Sequence, residues 1–126
     1  MADPGYSVIL PAHDEEATIG RALAAMGAGH DMANRQVIIA CNACADRTAE
    51  IARAAAPGAE VFEMAEGGKW RALNAAMERV RHDIVFIVDA DIEVGAAALA
   101  AMAEVLARGD VWAVSPAVEF DLAGTD

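Results

Sequence analysis

Apolar runs alternating with helical patterns predict an α/β domain: a mostly parallel sheet of about five strands, with four helices on both its faces. Three observations carry this. The runs are continuous rather than alternating, as in strands covered on two sides. Helical i, i+4, i+7 patterns separate them. The chain has 126 residues, 56% of them apolar, the size and composition of one domain with a core of its own.

The elements follow in order. Ser7-Val8-Ile9-Leu10 is a strand ended by Pro11. Asp14 then offers an N-cap with Glu15 and Glu16 in the first turn, Ile19, Leu23 and Met26 make the buried stripe, and Gly27 or Gly29 closes the helix. Gln36 to Ala40 is the second strand, and Asp46 caps a helix from Arg47 to about Ala55, closed by Pro57-Gly58. Glu60-Val61-Phe62 is a weak third strand. Gly67-Gly68 opens a helix carrying Leu73, Met77 and Val80 at core spacing. Ile84 to Val88 is the strongest strand, followed by Asp89-Ala90-Asp91. A helix from Gly95 to Ala107 presents Leu99, Met102 and Leu106, and Val111 to Val114 is the fifth strand.

Composition excludes several classes. Twenty acids against nine bases give a net charge of −11, so no basic patch exists to bind nucleic acid or an anionic membrane. No stretch approaches the ~20 apolar residues of a membrane span, and the amino terminus lacks a signal peptide's cationic region. The expectation is a soluble, cytoplasmic chain. Its two serines lie outside any Gly-x-Ser-x-Gly elbow. Alanine supplies 32 residues, so small side chains must build much of the core, and Trp70 and Trp112 are expected to pack rather than stack on bases.

Ligands of open parallel sheets bind beyond the carboxyl ends of the strands. Asp89 and Asp91 stand at one such end, two positions apart, so an extended backbone would project both carboxylates to one side. Oxygen donors of this kind suit Mg²⁺ or Mn²⁺; the plainer alternative is a strand that simply ends in polar residues. Lys69, the only lysine, falls in the first turn of a helix, where a cation is disfavoured unless an anion is bound. With the helix amides and Arg71 it would make an anion seat; an exposed lysine beside a Gly-Gly hinge is the plainer alternative. Cys41-x-x-Cys44 between strand and helix is either a redox pair or two small thiols in a turn, and lacks a second pair of ligands for zinc. His13 shares a strand end but receives no role.

Four segments together resemble the family 2 glycosyltransferases. Residues 7–16, Ser-Val-Ile-Leu-Pro-Ala-His-Asp-Glu-Glu, are similar to that family's opening strand and P-A-x-N-E-E turn. Asn42 to Thr48 resembles its D-G-S-T-D-G-T turn, Gly68 to Asn74 its G-K-x-x-A-L-N helix start, and Asp89-Ala90-Asp91 its D-x-D motif. The resemblance spans about residues 6 to 95 and implies the Rossmann-like, nucleotide-binding half of a GT-A fold.

It implies site roles as well. Pro11, Ala12 and Glu15 would line a nucleotide-sugar pocket, with Asn42 where the family usually has a base-binding Asp. Lys69 would lie near the diphosphate. Asp89 would approach the ribose or the metal shell, Ala90 would line the pocket, and Asp91 would ligate a divalent Mn²⁺ or Mg²⁺. The partner implied is a nucleotide-diphosphate sugar. Asn42 and Asp14 depart from the family pattern, and the amide at Asn42 leaves the base preference open. Residues 1–126 read as a single domain without the family's acceptor-binding half. No general base is identified, Glu119 and Asp121 being left unassigned. The expectation is a donor domain with little activity alone, or a non-catalytic binding module, either of which would pair with itself or with a second chain.

Overall fold

The computed structural model of the chain describes residues 4–29 and 32–116. Four strands and four helices alternate: β1 (Tyr6–Ala12), α1 (Ile19–Ala25), β2 (Arg35–Asn42), α2 (Thr48–Ala55), β3 (Glu60–Met64), α3 (Lys69–Met77), β4 (Val85–Ile87) and α4 (Ala96–Ala107). The sheet is parallel throughout, in the order β3-β2-β1-β4. From β1 the chain moves outward through β2 to β3, then returns to place β4 on the other side of β1. With right-handed crossovers, that reversal must put α3 on the face opposite α1 and α2.

The core divides accordingly. Val8, Leu10, Val37, Ile39 and Cys41 point to one face, under Ile19 and Leu23 of α1, Ala49 and Ala52 of α2, and Leu99 and Met102 of α4. Ile9, Ile38 and Ala40 point to the other, under Ala72 and Ala76 of α3. β1 is buried along its whole length. Its neighbour Ile38, like Ile9 and Leu10, is 0% exposed, and each such side chain stabilises the fold by about 1.5–3 kcal/mol relative to exposure. At the end of the sheet away from the site, Ser7 Oγ donates to Gln36 Oε1 at 2.7 Å, which ties β1 to β2.

The structure corrects several expectations. α1 starts at Ile19, not after Asp14. Asp14 instead adopts a left-handed φ of 50° in the turn before it, with its carboxylate turned toward the loop after β2. α1 is closed by Gly27 just beyond its cap, whose φ of 70° lets the Gly27 and Ala28 amides reach Ala24 O and Leu23 O at 3.1 and 3.0 Å. α2 starts at Thr48, so Asp46, expected as the cap, stands one position before the cap, where its Oδ1 accepts the Thr48 amide at 2.9 Å. In α3 the fully buried positions are Ala72 and Ala76, while Leu73, and Val80 just beyond the helix, are partly buried and pack against the same cluster. Met77 is exposed.

β4, expected as the strongest strand, has only three residues and stands at the sheet edge with Ile87 56% exposed. Residues 111–114 form no strand, and Trp112 is fully exposed rather than packed. Trp70 is also exposed, covered on one ring face by the Arg71 guanidinium at 4.8 Å. Among the described residues no helix is long and apolar enough to cross a membrane.

Candidate functional site

The chain reverses direction across the sheet between β1 and β4, and a cavity of about 510 Å³ opens there beyond the strand ends. Pro11, His13 and Glu15 line it from the end of β1, Asn42 from β2, Gly67 to Lys69 from the start of α3, and Asp89 to Asp91 from the loop after β4. Seven of the eight residues singled out from the sequence thus share one cavity: Pro11, Glu15, Asn42, Lys69, Asp89, Ala90 and Asp91. Ala12 sits behind the wall, 1% exposed, and takes part through its carbonyl oxygen.

Asn42 holds the corner together. Its Nδ2 donates to Ala12 O at 3.0 Å, and its Oδ1 accepts the Gly68 amide at 3.4 Å, so one buried amide joins β1, β2 and the start of α3. His13, which has no role assigned from the sequence, adds a reciprocal bond: its Nδ1 lies 2.7 Å from the Asn42 carbonyl oxygen. The only sequence signal for it was its address beside Pro11 at a strand end. The loops behind are latched by Asp14 Oδ1 on the Ala45 amide at 2.7 Å and by Thr48 Oγ1 on the Glu15 amide at 2.9 Å.

Asp89 and Asp91 do not project from an extended strand. β4 stops at Ile87, and a turn closed by the Ile92 amide on Asp89 O at 3.0 Å carries both acids to the same cavity. Asp89 Oδ1 pairs with Lys69 Nζ at 2.5 Å, whereas Asp91 is exposed. Arg71 takes no part in the cavity: it pairs with Glu66 at 2.6 Å. Two carboxylates beside a cavity of this volume fit a small hard cation that keeps most of its shell for water and phosphate oxygens. Within the described residues the one cluster of three possible ligands is Asp14, Cys44 and Asp46. Its oxygens already accept backbone amides, Asp46 Oδ2 that of Glu16 at 3.1 Å, and it works as a latch between loops.

Hydrogen bonds from the Thr48 hydroxyl, and from the Thr48 and Glu16 amides, hold the Asp46 carboxyl below its usual pKa. Burial, reinforced by Cys44 and Glu63, pushes the Cys41 thiol up to about 12. A redox nucleophile needs the opposite shift. Cys44 Sγ meets the Asp14 amide at 3.5 Å and Ala12 O at 3.6 Å, so the pair reads as packing in a turn.

The sequence profile of glycosyl transferase family 2 matches residues 7–125. No curated protein matches the chain. Solved structures with this fold include residues 1–349 of S. aureus TarS in complex with UDP-GlcNAc, 21% identical with a TM-score of 0.73 over 82% of this chain and 31% of that one. A mannosyltransferase from Pyrobaculum calidifontis, in complex with GDP-Man and Mn²⁺, is 27% identical with a TM-score of 0.70, over 79% of this chain and 31% of its own. Glucosyl-3-phosphoglycerate synthase from Mycobacterium tuberculosis, in complex with Mn²⁺, UDP and phosphoglyceric acid, is 27% identical with a TM-score of 0.68, over 82% and 39%. This chain therefore spans well under half the length of each.

Proposed function

The chain belongs to glycosyl transferase family 2, and from that premise we propose that residues 1–126 are a donor domain whose cavity binds a nucleotide-diphosphate sugar together with Mn²⁺ or Mg²⁺. The observation that carries this is the convergence of Asn42, Lys69, Asp89 and Asp91, from two strand ends and one helix start, on a single cavity at the reversal point of the sheet.

Asp91, and Asp89 beside it, would hold the metal. When bound, the metal supplies a Lewis acid that stabilises the charge building on a departing nucleoside diphosphate. The chain's own residues supply the rest. Lys69 and the amides at the start of α3 present positive charge to the diphosphate. Pro11, Glu15 and Asn42 wall the nucleoside end. Asn42, by joining three elements, fixes the distance between the two ends. Glu119 and Asp121, which carry no assigned role, lie outside the described residues. Transfer to an acceptor therefore belongs to this proposal only for a protein that also supplies the acceptor side.

Thermal shift with nucleoside diphosphates, with and without Mn²⁺, tests the binding. Stabilisation that needs both components and is lost in Asp91→Asn is expected; stabilisation unchanged in that variant would overturn the metal assignment. Turnover of a donor sugar, abolished by the same substitution, separates an enzyme from a binding module.

A further inference from the structure

A second cavity, of about 420 Å³, lies along β4, the edge strand of the sheet. Ile87 and Ile92 line it from β4 and the loop that follows, Leu99 and Met102 from α4, and Val114 from the segment after α4. Among the described residues its only charged side chains are Lys69 and Asp89, which pair with each other. The groove is apolar and unfilled. Two positions before Val114 stands Trp112, fully exposed, with Val111 beside it exposed as well. At most about 7 Å of backbone separates this indole from the groove wall. Burying such a ring is among the largest apolar gains that one residue offers. The chain thus presents, side by side, an empty groove and an unpacked knob.

We propose that this face is an interface between two copies of the chain, in which Trp112 of each copy fills the β4–α4 groove of the other. Because knob and groove lie together, a two-fold axis beside them satisfies both at once, and such a contact closes as a dimer. Trp is the residue type that most often anchors an interface, in a desolvated pocket of this kind. Charge points to the same face. At −11 per chain, two copies repel wherever their acids meet, and a groove whose only charges cancel is where they can approach. The same net charge disfavours an anionic lipid surface as the occupant. The contact would set the second copy against Lys69 and Asp89, which line the donor cavity as well. The inference needs no nucleotide and stands apart from the reading of that cavity.

Sedimentation velocity of the 126-residue chain, without nucleotide or metal, measures the association. Fluorescence reports the groove in a Trp70→Phe background, where Trp112 is the only indole. The chain is expected to double in mass as its concentration rises, and the Trp112 emission to shift to the blue over the same range. Trp112→Ala, and Ile87→Lys, which sets a charge in the groove, should each weaken the dimer at least about thirtyfold, the scale of an anchor residue. Both side chains are largely exposed in the single chain, so neither change threatens the fold, and circular dichroism checks that. A chain that stays monomeric to millimolar concentration would overturn the proposal and leave the groove to another occupant. An emission blue-shifted at every concentration would overturn it too, since the indole would then have turned back into its own groove. So would masses that grow past the dimer, or a dimer that either variant leaves unweakened. None of these outcomes touches the nucleotide site, which is tested separately.

Discussion

Lys69 Nζ reaches across the cavity to within 2.5 Å of Asp89 Oδ1, linking the first turn of α3 to the loop after β4. The only lysine in the sequence is thereby held at the mouth of the cavity, and a bound diphosphate would compete with Asp89 for it. Both side chains are about half exposed, so the pair adds at most about 1 kcal/mol to folding.

Lys69→Met is accordingly expected to leave the unfolding midpoint nearly unchanged while weakening nucleoside diphosphate binding by roughly tenfold, the worth of one charge-assisted contact. Chemical denaturation and calorimetry on the same sample check the two halves separately. A large loss of stability would mean that the pair is structural.

Asn42 behaves in the opposite way. It is 5% exposed and bonds both Ala12 O and the Gly68 amide, so Asn42→Ala removes both bonds at the corner where β1, β2 and the start of α3 meet. The expected cost is about 1–3 kcal/mol of stability, read as a lower urea midpoint with an unchanged slope.

The two thiols should differ sharply in reactivity. Folded chain treated with iodoacetamide near neutral pH is expected to be labelled at Cys44 and spared at Cys41, with both labelled in urea; peptide mass spectrometry reads this directly. Because the Cys41 thiol is raised from 9.0 to about 12, the folded state holds its proton more tightly than the unfolded chain does. Its contribution is complete below pH 9.0 and is lost as pH rises toward about 12, so alkaline unfolding should move to higher pH in Cys41→Ala, provided that variant folds.

Asp46 has the reverse sign. Its folded pKa is depressed, first by the Thr48 hydroxyl, so its contribution is present above the ordinary carboxylate range and disappears as pH falls through the lowered value. The urea midpoint of the wild type should decline on acidification, and Asp46→Asn should flatten that decline. An identical acid profile in the variant would show that other carboxylates carry it.

Much of this architecture was legible in the residue order. β1 and β2 are buried on both faces, and their unbroken apolar runs announced it. The strand ends, once located, named most of the cavity wall, because a parallel sheet gathers those ends on one side. What escaped depended on neighbours. Ile84 to Val88 reads as the strongest strand, yet among the described residues β4 pairs with β1 alone and closes after three residues. Val111 to Val114 has strand composition but meets no strand among the described residues. Asp14 has the chemistry of an N-cap; its left-handed backbone and its bond to Ala45, 31 positions away, took it elsewhere. His13 received no role because nothing local distinguishes it: its partner is a carbonyl on the next strand.

The close seating of α3 has a consequence for how such a site can change. Ala72 and Ala76, both 0% exposed, rest on Ile9, Ile38 and Ala40, with Leu73 packed at the margin of the same cluster. One added methylene at either alanine would act like a shim under a beam, raising or tilting the end that carries Gly67 to Lys69. Binding could then drift, sharpen or vanish through substitutions that never see solvent, while every residue facing the ligand stayed the same.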